Sequence, residues 1–184
     1  THEGGCLCGG LRYRVTAAPI RVTICHCRFC QRNTGTAYMV EPIFDKAAFA
    51  IVAGEPRRFD MISAGSGKGV TTHFCATCGG RTHLAFERFP DAVGVFAGSF
   101  DDPNWFPRSA ANSRHIFTAV AQRGTVLPPG VPTYAQHVAA SDGTPAASSI
   151  AAISSGVWGR YRMGRQWPAV FRSSPYAPGS RSAS

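Results

Sequence analysis

The seven cysteines of this chain occur in three tight groups, and none stands alone. The groups have the forms Cys-x-Cys, Cys-x-Cys-x-x-Cys and Cys-x-x-Cys, in that order along the chain. Spacings this short allow thiolates to share one tetrahedral metal ion, and zinc is the usual occupant. Because four thiolates close a zinc site and three leave one position open, seven cysteines predict one site of each kind.

The first and last groups are each followed directly by Gly-Gly. A glycine after a metal-binding cysteine lets the backbone turn tightly, with positive φ if needed, and direct N–H groups at sulfur. Because both groups share this Gly-Gly, their cysteines are predicted to bind one metal ion together. The predicted ligands of this structural zinc are Cys6, Cys8, Cys75 and Cys78. Such a site would tie the amino-terminal segment to a distant part of the chain and would organise the fold.

The middle group has no Gly-Gly after it. Cys25, Cys27 and Cys30 are close enough in sequence to hold one zinc with little outside help. The fourth position would then take water or a substrate thiol. Arg28 and Arg32 lie alongside and favour thiolate over thiol.

Other arrangements of the cysteines remain open at this point. Disulfides suit the odd count poorly, and Cys-x-Cys pairs would close strained loops. A histidine could complete the middle group, with His73, His83 and His115 as candidates, whereas His26 would need an awkward reach. An iron–sulfur cluster on the middle group and a redox pair at the last group are further alternatives.

Size and charge limit the function classes. The 184 residues fit one domain with a tail, and no stretch is long and apolar enough to span a bilayer. The first five residues lack the regions of a signal peptide, and thiols kept for metal suit a reducing compartment, so the cytoplasm is expected. The net charge of +9 includes scattered basic residues in the domain, which favour a small anionic ligand over a nucleic-acid groove.

Short strand-like runs broken by turns dominate residues 1–138, without a long amphipathic helix. They predict a mainly β fold of small antiparallel sheets with metal knuckles at the strand ends. From about Ala139 the composition shifts, so residues 139–184 are predicted to be a low-complexity C-terminal extension, partly disordered. A helical turn is predicted at 44–49, and the predicted strands lie at 10–15, 36–40, 50–53, 57–62, 70–74, 81–86 and 92–97.

Four motifs have an order and spacing that resemble a known family. They are GCLCGGLRY (5–13), CHCRFC (25–30), FCATCG (74–79) and GSFDDP (98–103), with 114–117 and 131–134 as closing segments. They resemble the glutathione-dependent formaldehyde-activating enzyme (GFA) family, which includes the centromere protein V-like proteins, over roughly residues 3–135. The resemblance implies a β-tent of small antiparallel sheets. It also implies a structural zinc at Cys6, Cys8, Cys75 and Cys78, and a second zinc at Cys25, Cys27 and Cys30.

The resemblance further implies an activity, the condensation of glutathione with formaldehyde to S-(hydroxymethyl)glutathione, formally the reverse of a carbon–sulfur lyase reaction. The open zinc would bind the substrate thiol as thiolate, or polarise the aldehyde oxygen. We therefore expect two zinc ions per chain, with a thiol such as glutathione and a small aldehyde as partners. Arg28 and Arg32 are candidates for holding glutathione carboxylates, and His26 for moving the proton.

A rival function from another class is a zinc-stapled binding module. It would hold a protein or polyanion on its basic surface without catalysis, and its second zinc would tolerate a fourth protein ligand. An enzyme would instead keep that position open. A zinc lyase or transferase acting on another thiol adduct is a third possibility. Asp101 and Asp102, just before Pro103, are interpreted as turn residues.

Overall fold

The structure is a computed structural model, and it describes residues 1–63, 66–139 and 145–150. Short strands are the main regular structure of this part, which confirms the predicted mainly β fold. The helical elements are α1 Arg28–Thr34 and the 3-10 turns Lys46–Ala48, Ala97–Ser99 and Thr118–Val120. The strands are β1 His2–Gly5, β2 Arg12–Val15, β3 Arg21–Cys25, β4 Met39–Asp45, β5 Phe49–Ala53, β6 Arg57–Ile62, β7 Gly69–Phe74, β8 Arg81–Phe86, β9 Ala92–Val95, β10 Ser113–Ile116, β11 Pro132–Thr133 and β12 Ser149–Ile150.

The smaller sheet contains three antiparallel strands in the order β1-β2-β5. Its middle strand alternates as a half-buried strand should. Tyr13 and Val15 are fully buried, whereas Arg12 and Arg14 form ion pairs with Glu3 on the other face. The buried face packs against the larger sheet, and the turn between β1 and β2 carries the first cysteine group.

The larger sheet has nine strands in the order β12-β11-β10-β3-β4-β9-β8-β7-β6. It is mostly antiparallel, as expected, but it contains more strands than the small sheets that the sequence predicts. The exception to the antiparallel pattern is β10, which runs parallel to both β3 and β11. Parallel neighbours require a long connection rather than a hairpin, and residues 117–131 form such a connection between β10 and β11.

Alternation along the strands divides the hydrophobic core between the two faces of the larger sheet. One face packs against the smaller sheet through Val22, Ile24, Phe44, Val93 and Val95. The opposite face carries Cys25, Met39, Leu84 and Ile116, and α1 packs on it through Phe29 and Cys30. The thiols of the middle cysteine group therefore lie within a hydrophobic layer.

The sequence pattern does not predict α1, because its start lacks the usual Ser, Thr, Asp or Asn cap. Cys27 takes that place, and its Sγ accepts a hydrogen bond of 3.3 Å from the backbone N–H of Cys30. The helix ends at Gly35, whose φ of 70° suits glycine. Because the helix occupies the chain up to Gly35, β4 begins at Met39 rather than at the predicted residue 36.

The strands predicted at 57–62, 70–74 and 81–86 are confirmed as β6, β7 and β8. The helical turn predicted at 44–49 is the 3-10 turn Lys46–Ala48, which the Asp45 carboxylate caps. In the described part of the chain the longest helix has seven residues, too few to cross a membrane.

The predicted C-terminal extension, 139–184, lies mostly outside the described residues. Its described part includes β12, which pairs with β11 at the edge of the larger sheet. The boundary at residue 138 and the partial disorder of the extension therefore stay predictions.

Candidate metal centres

The first and last cysteine groups meet in space, although they are far apart in sequence. They lie in the β1–β2 turn and the β7–β8 turn. The Sγ atoms of Cys6 and Cys8 are 3.5 Å apart, and those of Cys8 and Cys75 are 3.7 Å apart. All four Sγ atoms, including that of Cys78, lie within 4.8 Å of one another. We call these four residues the closed cluster.

The two turns share one backbone pattern. The N–H of Cys6 donates to the carbonyl of Leu11, and the N–H of Cys75 donates to the carbonyl of Gly80, both at 2.9 Å and both across five positions. The glycine after the second cysteine has a positive φ in each turn, 75° at Gly9 and 70° at Gly79. These glycines adopt the left-handed conformation that the sequence pattern predicts.

Backbone N–H groups point at the sulfurs of the closed cluster. The N–H of Leu11 donates to Cys6 Sγ at 3.2 Å. Donation from the N–H groups of Cys78 and Thr77 lowers the pKa of Cys75, and donation from those of Gly80 and Cys8 lowers the pKa of Cys78 to about 6. The turns therefore favour thiolates at Cys75 and Cys78. At Cys8 the N–H of Gly10 lowers the pKa, but hydrogen bonds with the other three thiols outweigh it and raise the pKa to about 11. Four thiolates in this space would therefore need a cation, and four sulfur donors suit a structural zinc ion.

The middle cysteine group forms a second cluster at the junction of β3 and α1. Cys25 is the last residue of β3, Cys27 is the N-cap of α1, and Cys30 lies in the first turn of the helix. Their Sγ atoms lie within 4.8 Å of one another. Cys25 and Cys30 are buried and Cys27 is partly exposed, so solvent reaches the cluster from one side. We call these three residues the open cluster.

The three thiols of the open cluster do not ionise alike. Hydrogen bonds from Cys25 and Cys30, and the N–H groups of Cys30 and Phe29, lower the pKa of Cys27 to about 3. Hydrogen bonding with Cys27 and burial raise the pKa of Cys25, and the two neighbouring cysteines and burial raise that of Cys30. Three thiolates in this space therefore require a cation, and an all-sulfur donor set fits zinc.

Within residues 1–63, 66–139 and 145–150, no further His, Cys, Asp or Glu donor joins the open cluster. The histidines considered as a fourth ligand have other partners. His73 and His83 stack on each other with ring centroids 4.1 Å apart, and His115 hydrogen-bonds His26. The described residues therefore offer a metal ion three protein ligands at this cluster.

His26, predicted to move the proton, is completely buried. Its Nε2 lies 2.9 Å from Nδ1 of His115, and its ring also contacts Tyr38, with centroids 5.3 Å apart. Burial lowers the pKa of His26, so the ring is neutral at physiological pH. His115 and Tyr38 both line a cavity of about 330 Å³, whose remaining walls are mainly aliphatic. His26 thus reaches this cavity only through its neighbours.

The two arginines predicted to bind substrate lie on α1, and both are exposed. Arg28 donates to the side-chain oxygen of Gln31. Arg32 lies in the last turn of the helix. Asp101, interpreted as a turn residue, forms an ion pair with Arg12 on the smaller sheet.

Gln31 is a site residue that the sequence reasoning does not identify. Its side-chain nitrogen donates to the carbonyl of His26 at 2.6 Å and to the carbonyl of Val120 at 2.9 Å. It is buried next to Cys30 in α1. Gln31 therefore fixes the helix that carries two of the thiols to the segment that carries the third. Its only sequence signal is its position directly after the Cys-x-x-Cys.

Comparison with known proteins identifies relatives of the chain. A protein of Halomonas elongata named "Putative glutathione-dependent formaldehyde-activating enzyme" is 28% identical over 104 residues, which cover 54% of this chain. The match spans 65% of that relative, just under two thirds of its length. The crystal structure of a Rhodobacter sphaeroides protein is 20% identical, with a TM-score of 0.46, and the match covers 61% of this chain and 98% of that one.

The family comparison covers a larger part of the chain. The model of the glutathione-dependent formaldehyde-activating enzyme family matches residues 1–120, which contain all seven cysteines and both clusters. The chain belongs to the glutathione-dependent formaldehyde-activating enzyme (GFA) family.

Proposed function

We propose that this chain is a zinc-dependent enzyme of the carbon–sulfur lyase class that joins a thiol to a small aldehyde. Glutathione and formaldehyde are the substrates that its family suggests. The observation that carries the proposal is the open cluster, in which three thiols converge without a fourth donor among the described residues. Three protein donors are typical of catalytic zinc sites, and four are typical of structural ones.

The residues have distinct roles in this proposal. Cys25, Cys27 and Cys30 hold the catalytic zinc, and the four cysteines of the closed cluster hold a structural zinc. When bound there, zinc would lower the pKa of a substrate thiol and so would supply a thiolate nucleophile at neutral pH. Arg28 and Arg32 remain candidates for binding substrate carboxylates.

The chemistry needs only one proton transfer. The substrate sulfur forms a bond to the aldehyde carbon, the carbonyl double bond becomes a single bond, and the thiol proton ends on the oxygen. His26 is the proposed carrier of this proton from the sulfur to the oxygen, and its hydrogen bond to His115 orients the ring. Free thiols throughout the chain suit a reducing compartment, so we propose that the protein is cytoplasmic.

The proposal is tested by measuring the exchange between formaldehyde and its glutathione adduct by ¹³C NMR, with zinc-loaded protein. We expect the wild-type chain to accelerate adduct formation above the spontaneous rate, and Cys27→Ser to lose this acceleration. A fully zinc-loaded wild-type chain that leaves the spontaneous rate unchanged would contradict the reaction. That outcome would favour the rival binding module, whose salt-sensitive association with a polyanion is then the next measurement.

A further inference from the structure

Two arginines lie side by side on the face of the larger sheet that carries the open cluster. In the register of the sheet, Thr23 pairs with Arg114 on one side and with Glu41 on the other, and Arg21 lies two positions before Thr23. Paired residues, and every second residue of a strand, share one face. Arg21, Arg114 and Glu41 therefore project from the same face as Cys25.

Both guanidinium groups are partly buried and lack a counter-ion. Within the described part of the chain, neither Arg21 nor Arg114 forms an ion pair. Burial lowers the pKa of both arginines, and repulsion from Arg114 lowers that of Arg21 further. Two partly desolvated cations that repel each other would be stabilised by a bound anion. Arg21 and Arg114 together therefore form a candidate binding site for an anion.

Glu41, the carboxyl whose charge acts on Arg21, does not neutralise the pair. Its side chain is buried, and its Oε1 has no hydrogen-bond partner in the residues that the structure describes. It fills space that Gly94 leaves free, since a Cβ on Gly94 would lie 2.1 Å from that oxygen. Burial raises the pKa of Glu41 to about 8, and Arg21 opposes this only in part. Glu41 is thus mostly protonated at neutral pH.

The separation between the arginines and the thiols suits a small molecule that carries both a thiol and a carboxylate. Arg114 lies two positions before Ile116, which pairs with Cys25, and Arg21 lies four positions before Cys25. At about 3.3 Å per residue, the arginine backbones are about 7 Å and about 13 Å along the strands from the cysteine. A ligand that contacts both the arginines and the thiols would occupy this span.

We propose that Arg21 and Arg114 bind a carboxylate of the thiol substrate while its sulfur lies at the open cluster. The inference rests on the proposed function, and it assigns the substrate of that site to the carboxylate-bearing thiols. The planar guanidinium suits this role, because it donates two parallel hydrogen bonds to one carboxylate. Thiols without a carboxylate, such as 2-mercaptoethanol, would gain nothing from the two arginines.

The test uses S-methylglutathione, which keeps both carboxylates of glutathione and has no free thiol. Its binding to the zinc-loaded full chain is measured by calorimetry. We expect Arg21→Met and Arg114→Met each to weaken binding roughly tenfold or more, because each removes a charge-assisted hydrogen bond. Arg57→Met is the matched control, since it removes one positive charge from the exposed far edge of the same sheet and should bind like wild type.

A second measurement needs no variant and so does not depend on how the variants fold. The diethyl ester of S-methylglutathione, in which both carboxylates are blocked, should bind the wild-type chain roughly tenfold more weakly or worse than the free acid. Equal binding of ester and acid, or arginine variants that match Arg57→Met, would overturn the inference. So would a wild-type chain that does not bind S-methylglutathione.

The two proposals fail in different ways. Arginine-dependent binding without any acceleration of adduct formation would overturn the proposed reaction and support the carboxylate site. Acceleration by a chain that binds S-methylglutathione independently of both arginines would support the reaction and overturn the site.

Discussion

The backbone of Gly80 packs against Cys6. A Cβ built on Gly80 would lie 3.1 Å from the Cβ of Cys6 and 3.1 Å from the backbone nitrogen of Leu7. The second glycine of one cysteine turn thus lies against the first cysteine of the other turn. A side chain at this position would push the two halves of the closed cluster apart.

Gly80→Ala should therefore destabilise the protein by about 1–3 kcal/mol, because backbone and Cβ atoms must move to admit the methyl group. Gly10→Ala is the matched control. It changes the second glycine of the other pair, where the nearest atom to a new Cβ is Cys8 Sγ at 3.5 Å, an ordinary contact. Chemical unfolding of the zinc-loaded variants measures the difference. Equal free energies of unfolding for the two variants would contradict the packing argument.

The two clusters should respond differently to the loss of one cysteine. Cys27 and Cys78 are both partly exposed, so alanine at either position removes a thiol of similar burial. Cys27→Ala should lower the zinc content from two ions to one and keep the fold, because the other zinc still joins the two turns. Cys78→Ala should lower the melting temperature strongly. Metal analysis and thermal melts report these results, and loss of both ions from Cys27→Ala would show that the clusters are not independent.

Gln31 should be essential for the shape of the open cluster. Gln31→Glu replaces a donor with an acceptor that faces the carbonyls of His26 and Val120. We expect a loss of about 2–3 kcal/mol of stability, because two buried carbonyls lose their donor. Gln136→Ala, an exposed change in the segment that borders the site, is the control and should be neutral. Urea unfolding that fails to separate Gln31→Glu from this control would contradict the prediction.

Glu41 should make stability depend on pH. Burial raises its pKa to about 8 from an ordinary value of 4.5, so between these values the folded state holds a proton that the unfolded state releases. This group therefore favours folding fully below about pH 4.5, and its contribution falls as the pH rises to about 8. Glu41→Gln, which stays neutral, should gain stability relative to wild type over this range, by on the order of 3–5 kcal/mol.

Denaturant unfolding at about pH 5, 7 and 9 measures the free energies of unfolding of wild type and Glu41→Gln, whose difference should grow with pH. Subtracting one free energy from the other cancels the pH dependence of the thiols, which both proteins share. Glu55→Gln, at an exposed position, should keep a constant difference from wild type. A constant gap for Glu41→Gln as well would contradict the prediction for Glu41.

The grouping of the cysteines is predictable from sequence because it depends on short-range features. Two Gly-Gly pairs mark the turns of the closed cluster, and Gly9 and Gly79 do adopt positive φ. The strands β6, β7 and β8 are likewise local, since each shows its own pattern of residues and each joins the next by a turn.

Other features depend on contacts that no local pattern records. α1 begins directly after Cys27, whose Sγ acts as the cap, and cysteine is not a capping residue by propensity. Glu41 lies within a largely apolar strand, and only the pairing of β4 with β3 and β9 shows that it faces Arg21 and the gap at Gly94. The parallel placement of β10, which brings Arg114 beside Thr23, follows from a long connection that local propensities do not determine.

The sequence separation within each cluster sets an order during synthesis. The thiols of the open cluster leave the ribosome almost together, as part of one strand–helix junction. Cys8 and Cys75 are 67 positions apart, so the closed cluster is complete only after the smaller sheet and four strands of the larger sheet have been made. A nascent chain can therefore acquire metal at the open cluster first, before Cys75 and Cys78 have been made and can join Cys6 and Cys8.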